Sequence, residues 1–283
     1  MPGKRRLLIT GHKGILGRQL LEWAPADVEI LGFDLPEDDI TDLAKVVAAV
    51  RAFAPDQVLH AAAYTDVDGC ELDPARALRV NGLGTRNVAQ AASECGSELL
   101  YVSTDYVFDG EAERPYEEYD AVRPLSVYGR SKLWGECAVR DHSWRFYIVR
   151  TQWLFGVGGR NFVDTIRKAA SERDRLRVVS DQVGSPTYAK DLAQVLHRIL
   201  AERPGYGIYH ASSQGECSWW EFAKVIVELA GLEAPVDPMS SAELDRPAPR
   251  PRYAVLRNRA LELTLGDPFR PWREAVAEYL RGA

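Results

Sequence analysis

Apolar and polar positions along this chain follow two different periods. In the first half, short apolar runs at 7–10, 28–33, 57–62, 98–107 and 145–150 read as strands, and 15–23 and 43–53 carry apolar residues at helical spacing. Asp73-Pro74 offers an N-cap followed by proline at the first helical position, with Gly96 as the stop. Strands separated by helices in this way predict a parallel sheet, doubly wound by right-handed crossovers. Beyond residue 150 the rhythm loosens. Helices are expected at 162–172, 188–201 and 219–230, and strands at 176–179 and 207–210. Pro235, Pro238, Pro247, Pro249 and Pro251 predict that 234–252 is loop. The chain then divides into a unit over 1–150, rejoined by segments around 174–210, and a smaller remainder over 151–283. There is no internal repeat.

Composition narrows the class of function. Hydrophobic residues make up 46% and charged residues 27%, a globular balance that excludes wholesale disorder. The net charge of −6 argues against nucleic acid or an anionic membrane as partner, since both attract basic surfaces. No stretch approaches the ~20 apolar residues that span a bilayer. The basic start, Lys4-Arg5-Arg6, leads into an apolar run too short for a signal peptide. Cys70, Cys95, Cys137 and Cys217 are scattered without metal or disulfide spacing, so a reduced, cytoplasmic protein is expected.

The first candidate site comes directly after the first expected strand: Thr10-Gly-His-Lys-Gly-Ile-Leu-Gly17. Gly11 permits a tight turn, Gly14 a close approach of backbone to a pyrophosphate, and Gly17 close packing of helix on strand. The helix that opens there presents unpaired N–H groups to an anion. Asp34 ends the next strand, near the ~20-residue offset at which a carboxylate meets an adenosine ribose. Strand, glycine loop, helix and distal acid together predict a Rossmann-type dinucleotide site. Asp34 favours a 2′-hydroxyl, while Lys13 and Arg18 are near enough in sequence to offset a 2′-phosphate, so NADH and NADPH both stay open.

The second is Tyr128-Gly-Arg-Ser-Lys132, a Y-x-x-x-K at the start of an expected helix. Side chains four apart share a helix face, with Cβ atoms about 5–6 Å apart. A neighbouring ammonium favours the phenolate, so such a tyrosine can exchange a proton nearer neutrality than its usual ~10. Thr104 lies at the carboxyl end of the fourth strand, where its hydroxyl can orient a carbonyl. The Gly11 loop, Asp34, Ala61–Ala63, Thr104 and Trp153 all fall at such strand ends, where ligands of open α/β sheets bind. Trp153 also suits a sugar, whose C–H groups pack on a flat aromatic face.

These residues carry a resemblance. The chain resembles the extended short-chain dehydrogenases and, within them, the dTDP-4-dehydrorhamnose reductases, over almost its full length. The carriers are the glycine loop, Ala61-Ala-Ala-Tyr-Thr-Asp-Val-Asp68, Ser103-Thr-Asp-Tyr-Val-Phe108, Pro124-Leu-Ser-Val-Tyr-Gly-Arg-Ser-Lys132, Arg150-Thr-Gln-Trp-Leu-Phe155, Asn161-Phe162 and Asp181-Gln-Val-Gly-Ser-Pro-Thr187. The resemblance implies a dinucleotide-binding sheet with a mainly C-terminal substrate-binding lobe. It also implies reduction at C4 of dTDP-4-dehydro-L-rhamnose, or of another dTDP-4-keto-6-deoxy sugar. Thr104, Tyr128 and Lys132 would be catalytic. Gly11, His12, Lys13, Gly14, Ile15, Leu16, Gly17, Asp34, Asp39, Ile40, Ala61, Ala62, Ala63 and Tyr64 would join Tyr128 and Lys132 around the cofactor. Val67 and Asp105 would join Thr104, Tyr128 and Trp153 around the sugar. Where some members hold a bridging magnesium, this chain has Gln19 and Lys190, neither a hard anionic ligand, so a monomer or a homodimer without a metal bridge is expected. Arg250-Pro251 leads into residues that depart from the family pattern, which weakens any diphosphate contact by Arg250. The same fold also serves as a regulatory subunit in the β subunit of methionine adenosyltransferase; the intact Thr104, Tyr128 and Lys132 set argues for chemistry instead.

The remaining candidates read as structural. His12, His60, His142, His197 and His210 show no ligand spacing and are expected to be structural or exposed. Trp219 and Trp220 come after Ser218, an N-cap, and are expected to pack their helix. Glu117, Glu118 and Asp120 are expected in a solvated loop. The four arginines of 250–259 are too few for a nucleic-acid surface on an acidic chain.

Overall fold

Residues 7, 8 and 9 point alternately to two cores. In a computed structural model describing residues 4–282, β1 (Arg5–Thr10) sends Leu7 and Ile9 to one face and Leu8 to the other. This period of two is that of a strand buried on both sides. Then come α1 (Ile15–Glu22), β2 (Val28–Phe33), α2 (Leu43–Phe53) and β3 (Gln57–His60). Two short helices, α3 (Val67–Leu72) and α4 (Pro74–Ala77), and a π-helical stretch at Leu78–Gly84 lead into α5 (Thr85–Glu94). The expected helix start at Asp73-Pro74 is present, with Asp73 accepting from the Arg76 backbone N–H. The run to Gly96 is not one helix, because the segment widens around Asn81. Asn81 Oδ1 accepts from the Tyr64 N–H at 2.8 Å, and its Nδ2 donates to the Tyr64 carbonyl at 3.0 Å.

β4 (Glu98–Thr104), α6 (Val127–His142) and β5 (Phe146–Thr151) complete the first half. β4 stops at Thr104, short of the expected 107, because Asp105–Val107 turns into a single 3₁₀ turn. Next are β6 (Leu154–Phe155), α7 (Phe162–Glu172), β7 (Leu176–Val179), β8 (Val183–Gly184) and β9 (Thr187–Tyr188). Then come α8 (Ala189–Glu202), β10 (Gly207–His210), β11 (Cys217–Ser218), α9 (Trp219–Leu229), β12 (Val236–Met239), α10 (Arg259–Thr264) and α11 (Trp272–Gly282). The expected loop over 234–252 therefore contains a strand. β12 pairs with β7 alone, and Pro238, which lacks an N–H, is tolerated in a two-stranded edge.

The main sheet has six parallel strands in the order β2-β1-β3-β4-β5-β10. The order reverses between β1 and β3, which opens a crevice beyond their carboxyl ends. One face packs on α1 and α8 through Leu16, Leu20, Leu192, Leu196 and Ile199. The other packs on α2, α5 and α6 through Val46, Val50, Val88 and Val139. α8 and β10 thus belong with the sheet, whereas β7, α7, α9 and α11 gather around a separate core of Phe155, Ile166, Phe222 and Trp272. That second core stands beside the carboxyl ends of the strands.

Candidate active site

A cleft of about 1030 Å³ runs along those strand ends. At one end is the glycine loop. Gly11 has φ +73°, and a Cβ there would come within 2.7 Å of the Ala62 nitrogen. A Cβ on Gly17 would strike the Gly11 carbonyl and the His12 backbone. The loop therefore closes down on β3 and on its own helix only because both positions lack side chains. Gly14 is the N-cap of α1 and provides no side-chain cap, so the first N–H groups of the helix are left to whatever the cleft holds. Asp34 ties the loop to β2: its carboxylate accepts from the Lys13 N–H at 2.9 Å and the Leu35 N–H at 2.8 Å. The Lys13 ammonium donates to the Leu35 carbonyl at 2.7 Å and to Glu37 at 2.6 Å, which holds the Glu37 carboxyl below its usual range. A carboxylate and bare backbone N–H groups in a glycine cradle match the ribose and diphosphate of a dinucleotide.

The opposite wall is built by α6. Ser126 caps it, accepting from the Gly129 N–H at 3.2 Å, and Glu71 accepts from the Val127 N–H at 2.9 Å. A Cβ on Gly129 would strike the Tyr106 carbonyl, so glycine lets the helix start lie on the 105–107 turn. This brings Tyr128 beside Thr104, and the Tyr128 ring meets Tyr106 edge-on at 5.4 Å. Burial pushes the Tyr128 phenol up, with the Thr104 hydroxyl opposing. One turn on, Lys132 is 3% exposed; its ammonium donates to the Val102 carbonyl at 2.7 Å and sits 4.2 Å from the Tyr101 ring centre. Burial pulls it down to about 7, opposed by Glu136 below it. Glu136 is itself fully buried, accepting from Ser103 Oγ at 2.7 Å and from Arg150 at 2.8 and 2.9 Å.

Beyond Thr104, Asp105 is 2% exposed and burial raises its carboxyl to about 7. Its Oδ1 accepts from Thr104 Oγ1 at 2.9 Å. Trp153 holds φ +46°, strained for a bulky residue, and stacks on Trp219 at 3.5 Å between ring centres.

Of the expected site residues, Gly11, Lys13, Gly14, Ile15, Leu16, Gly17, Asp34, Asp39, Ile40, Ala61, Ala62, Ala63, Val67, Thr104, Asp105, Tyr128, Lys132 and Trp153 all line this cleft. His12 and Tyr64 stand behind the wall. The His12 ring packs so closely on Gly32 that a Cβ there would meet it at 2.7 Å. Tyr64 lies under the Arg76 guanidinium at 4.4 Å. Arg250 is locked to Asp68, with guanidinium–carboxylate distances of 2.8 and 3.1 Å.

Arg76, Arg79, Arg160, Gln152 and Trp219 also line the cleft, and the sequence pattern does not single them out for it. Arg160 is delivered by the β6–α7 loop, where a Cβ on Gly158 would strike Arg18 and one on Gly159 would meet Ile15 at 2.6 Å. Trp219 packs its helix as expected, against Phe162, and also faces the cleft. Glu118 is a correction of another kind. It is 3% exposed rather than solvated, because its carboxylate accepts from the His210 and Ala260 N–H groups. Gln19 donates to Glu22, and Lys190 pairs with Glu278. Among the described residues no group of His, Cys, Asp or Glu is arranged to hold a metal, and no helix is long and apolar enough to cross a membrane.

The spore coat polysaccharide biosynthesis protein SpsK of Bacillus subtilis is 41% identical, over 98% of this chain and 97% of its own length. A dTDP-4-dehydrorhamnose reductase of Streptomyces griseus is 43% identical, over 96% of this chain and 92% of its own. The crystal structure of the Bacillus anthracis dTDP-4-dehydrorhamnose reductase in complex with NADP superposes with a TM-score of 0.96 at 38% identity, covering 99% of this chain and all of that one. The family profile of the RmlD substrate binding domain matches residues 5–283, and the chain belongs to that family.

Proposed function

We propose that this chain is an NADH- or NADPH-dependent reductase that converts the C4 carbonyl of dTDP-4-dehydro-L-rhamnose into the alcohol of dTDP-L-rhamnose. The observation that carries this reading is the meeting of the Thr104 hydroxyl, the Tyr128 phenol and the Lys132 ammonium on a cleft that begins at the glycine loop. Gly11, Gly14, Gly17 and the start of α1 hold the diphosphate, Asp34 the adenosine ribose, Asp39 and Ile40 the adenine, and Ala61–Ala63 the floor. A reduced nicotinamide bound there supplies hydride to the carbonyl carbon. Thr104 holds the carbonyl oxygen, and Tyr128 gives its proton to that oxygen as negative charge develops. The phenol is protonated at neutral pH, as a proton donor must be, and burial moves it further from neutrality, opposite to what the Tyr128–Lys132 spacing predicts. Lys132 then favours the phenolate left behind. Trp153 offers a flat face to the sugar, with Val67 and Asp105 beside it. Self-association, where it occurs, proceeds without a bridging metal, because Gln19 and Lys190 are engaged with Glu22 and Glu278.

The test is oxidation of NADH, and separately NADPH, in the presence of dTDP-4-dehydro-L-rhamnose. Sugar-dependent oxidation is expected. Full turnover on a different dTDP-4-keto-6-deoxy sugar, with none on this one, would move the substrate assignment. Cofactor binding without oxidation by any such sugar would replace catalysis with the regulatory role.

A further inference from the structure

Three buried polar atoms have no partner among the described residues and belong to residues lining the cleft: Asp105 Oδ2, Thr151 Oγ1 and Gln152 Nε2. Register brings their residues to neighbouring strand ends. β4 and β5 are parallel neighbours with Thr104 opposite Thr151, so Asp105 and Gln152 each come one residue later at adjacent strand ends. Leaving a polar group buried and unpaired is costly, so three on residues that line one cleft point to a polar ligand that completes them. Their chemistry restricts that ligand. A carboxyl, a hydroxyl and an amide N–H pair suit hydroxyl groups, which both donate and accept; a phosphate would face the Asp105 carboxyl.

Gln152 is the one of the three whose orientation is fixed independently. Its Oε1 accepts from the Ser185 backbone N–H at 3.0 Å, which settles which end of the amide is oxygen. Both N–H donors of Nε2 are then left over, on a side chain that is 2% exposed. Ser185 lies in Asp181-Gln-Val-Gly-Ser-Pro-Thr187, a stretch with no part in the proton-transfer group. A Cβ on Gly184 of that stretch would come within 2.8 Å of Gln152 Oε1 and 2.6 Å of Trp153 Cε2. The segment is a clamp that seats Gln152 and Trp153 together.

We infer that Gln152 reads the sugar: its side-chain amide, held by Ser185, donates a hydrogen bond to a ring hydroxyl of the substrate. The inference rests on the nucleotide-sugar reading above and adds a specificity-determining residue to it. The clamp explains why a segment remote in sequence from Tyr128 is packed against the cleft. Nothing in the chemistry requires Gln152 to exchange a proton, so its contribution is to binding and orientation.

The test compares Gln152→Met and Gln152→Glu with the unaltered protein. Gln152→Glu, assayed at pH 8, keeps an acceptor for Ser185 and loses both donors. Calorimetry measures affinity for dTDP-L-rhamnose and for dTDP, which lacks the sugar. Both variants are expected to lose roughly 10- to 100-fold in affinity for dTDP-L-rhamnose, with dTDP and NADH affinities unchanged. kcat/KM for the 4-keto sugar is expected to fall in parallel. An unchanged ratio of dTDP-L-rhamnose to dTDP affinity in Gln152→Glu would overturn the inference, as would equal losses for both ligands. Because binding is read without turnover, failure of the unaltered protein to reduce the sugar would count against the proposed reaction and not against Gln152.

Discussion

His60 shows how much one side chain can impose. It ends β3 fully buried, with Nδ1 2.6 Å from Thr10 Oγ1, Nε2 2.9 Å from Thr85 Oγ1, and its ring stacked on Tyr101. Burial, reinforced by Lys132, pulls its pKa from 6.5 to about 3. In the unfolded chain the imidazole protonates near its ordinary value; in the folded chain it stays neutral. Between about pH 6.5 and 3 the unfolded state therefore binds more protons, and stability falls as the pH falls. His210, buried against Arg150, has the same sign. The melting temperature is expected to drop through this range, and His60→Asn to flatten the drop while lowering stability at neutral pH. Equal slopes for variant and parent would show that His60 does not set this dependence. In the sequence His60 is recognisable as a structural histidine, but its neutrality is not. That depends first on burial between Thr10, Thr85 and Tyr101, which are distant along the chain and meet at His60 only in the folded sheet.

At the scale of elements, the legible parts are those whose own periodicity decides them. β2, α2, α7, β7 and β10 start and stop where the pattern places them. The misplaced parts are those decided by contacts across the fold. β4 ends early because Asp105 turns into the cleft, and the helix after Asp73 is interrupted where Asn81 reaches back to Tyr64. Glu118 is buried by partners on β10 and α10. The glycine loop is legible because its spacing comes with a strand before it, a helix after it and Asp34 at the end of the next strand. Gly17→Ala places a methyl group on the Gly11 carbonyl and His12 backbone. It is expected to destabilise the fold by about 1–3 kcal/mol, as overpacking does, and to weaken NADH binding. Urea unfolding and fluorescence titration measure the two effects; unchanged values in both would mean that the loop can relax without losing its cradle.

The whole molecule joins two cores across one cleft. The sheet supplies the glycine loop, Thr104, Tyr128 and Lys132. The second core supplies Trp219, the loop carrying Arg160, and the clamp that seats Gln152 and Trp153. The glycine loop and Asp34 are readable from local spacing, whereas Asp39, Ile40 and Tyr64 are named only by the family resemblance, and His12 and Tyr64 do not line the cleft. On the opposite side, Thr104 and Trp153 are readable from their strand-end positions, and Val67 and Asp105 only where the family resemblance names them. Gln152 and Trp219 emerge from packing between segments far apart in sequence, which no single-chain pattern records. The meeting of hydride and proton at one carbonyl in this cleft is tested by reduction with NADH or NADPH, whichever is oxidised, deuterated at the transferable position, and then by locating the label in the sugar. Deuterium is expected at C4 of the product, with Tyr128→Phe slowing its transfer by about 100-fold or more. Label elsewhere in the sugar, or transfer by Tyr128→Phe at the unaltered rate, would contradict a shared site for the two transfers.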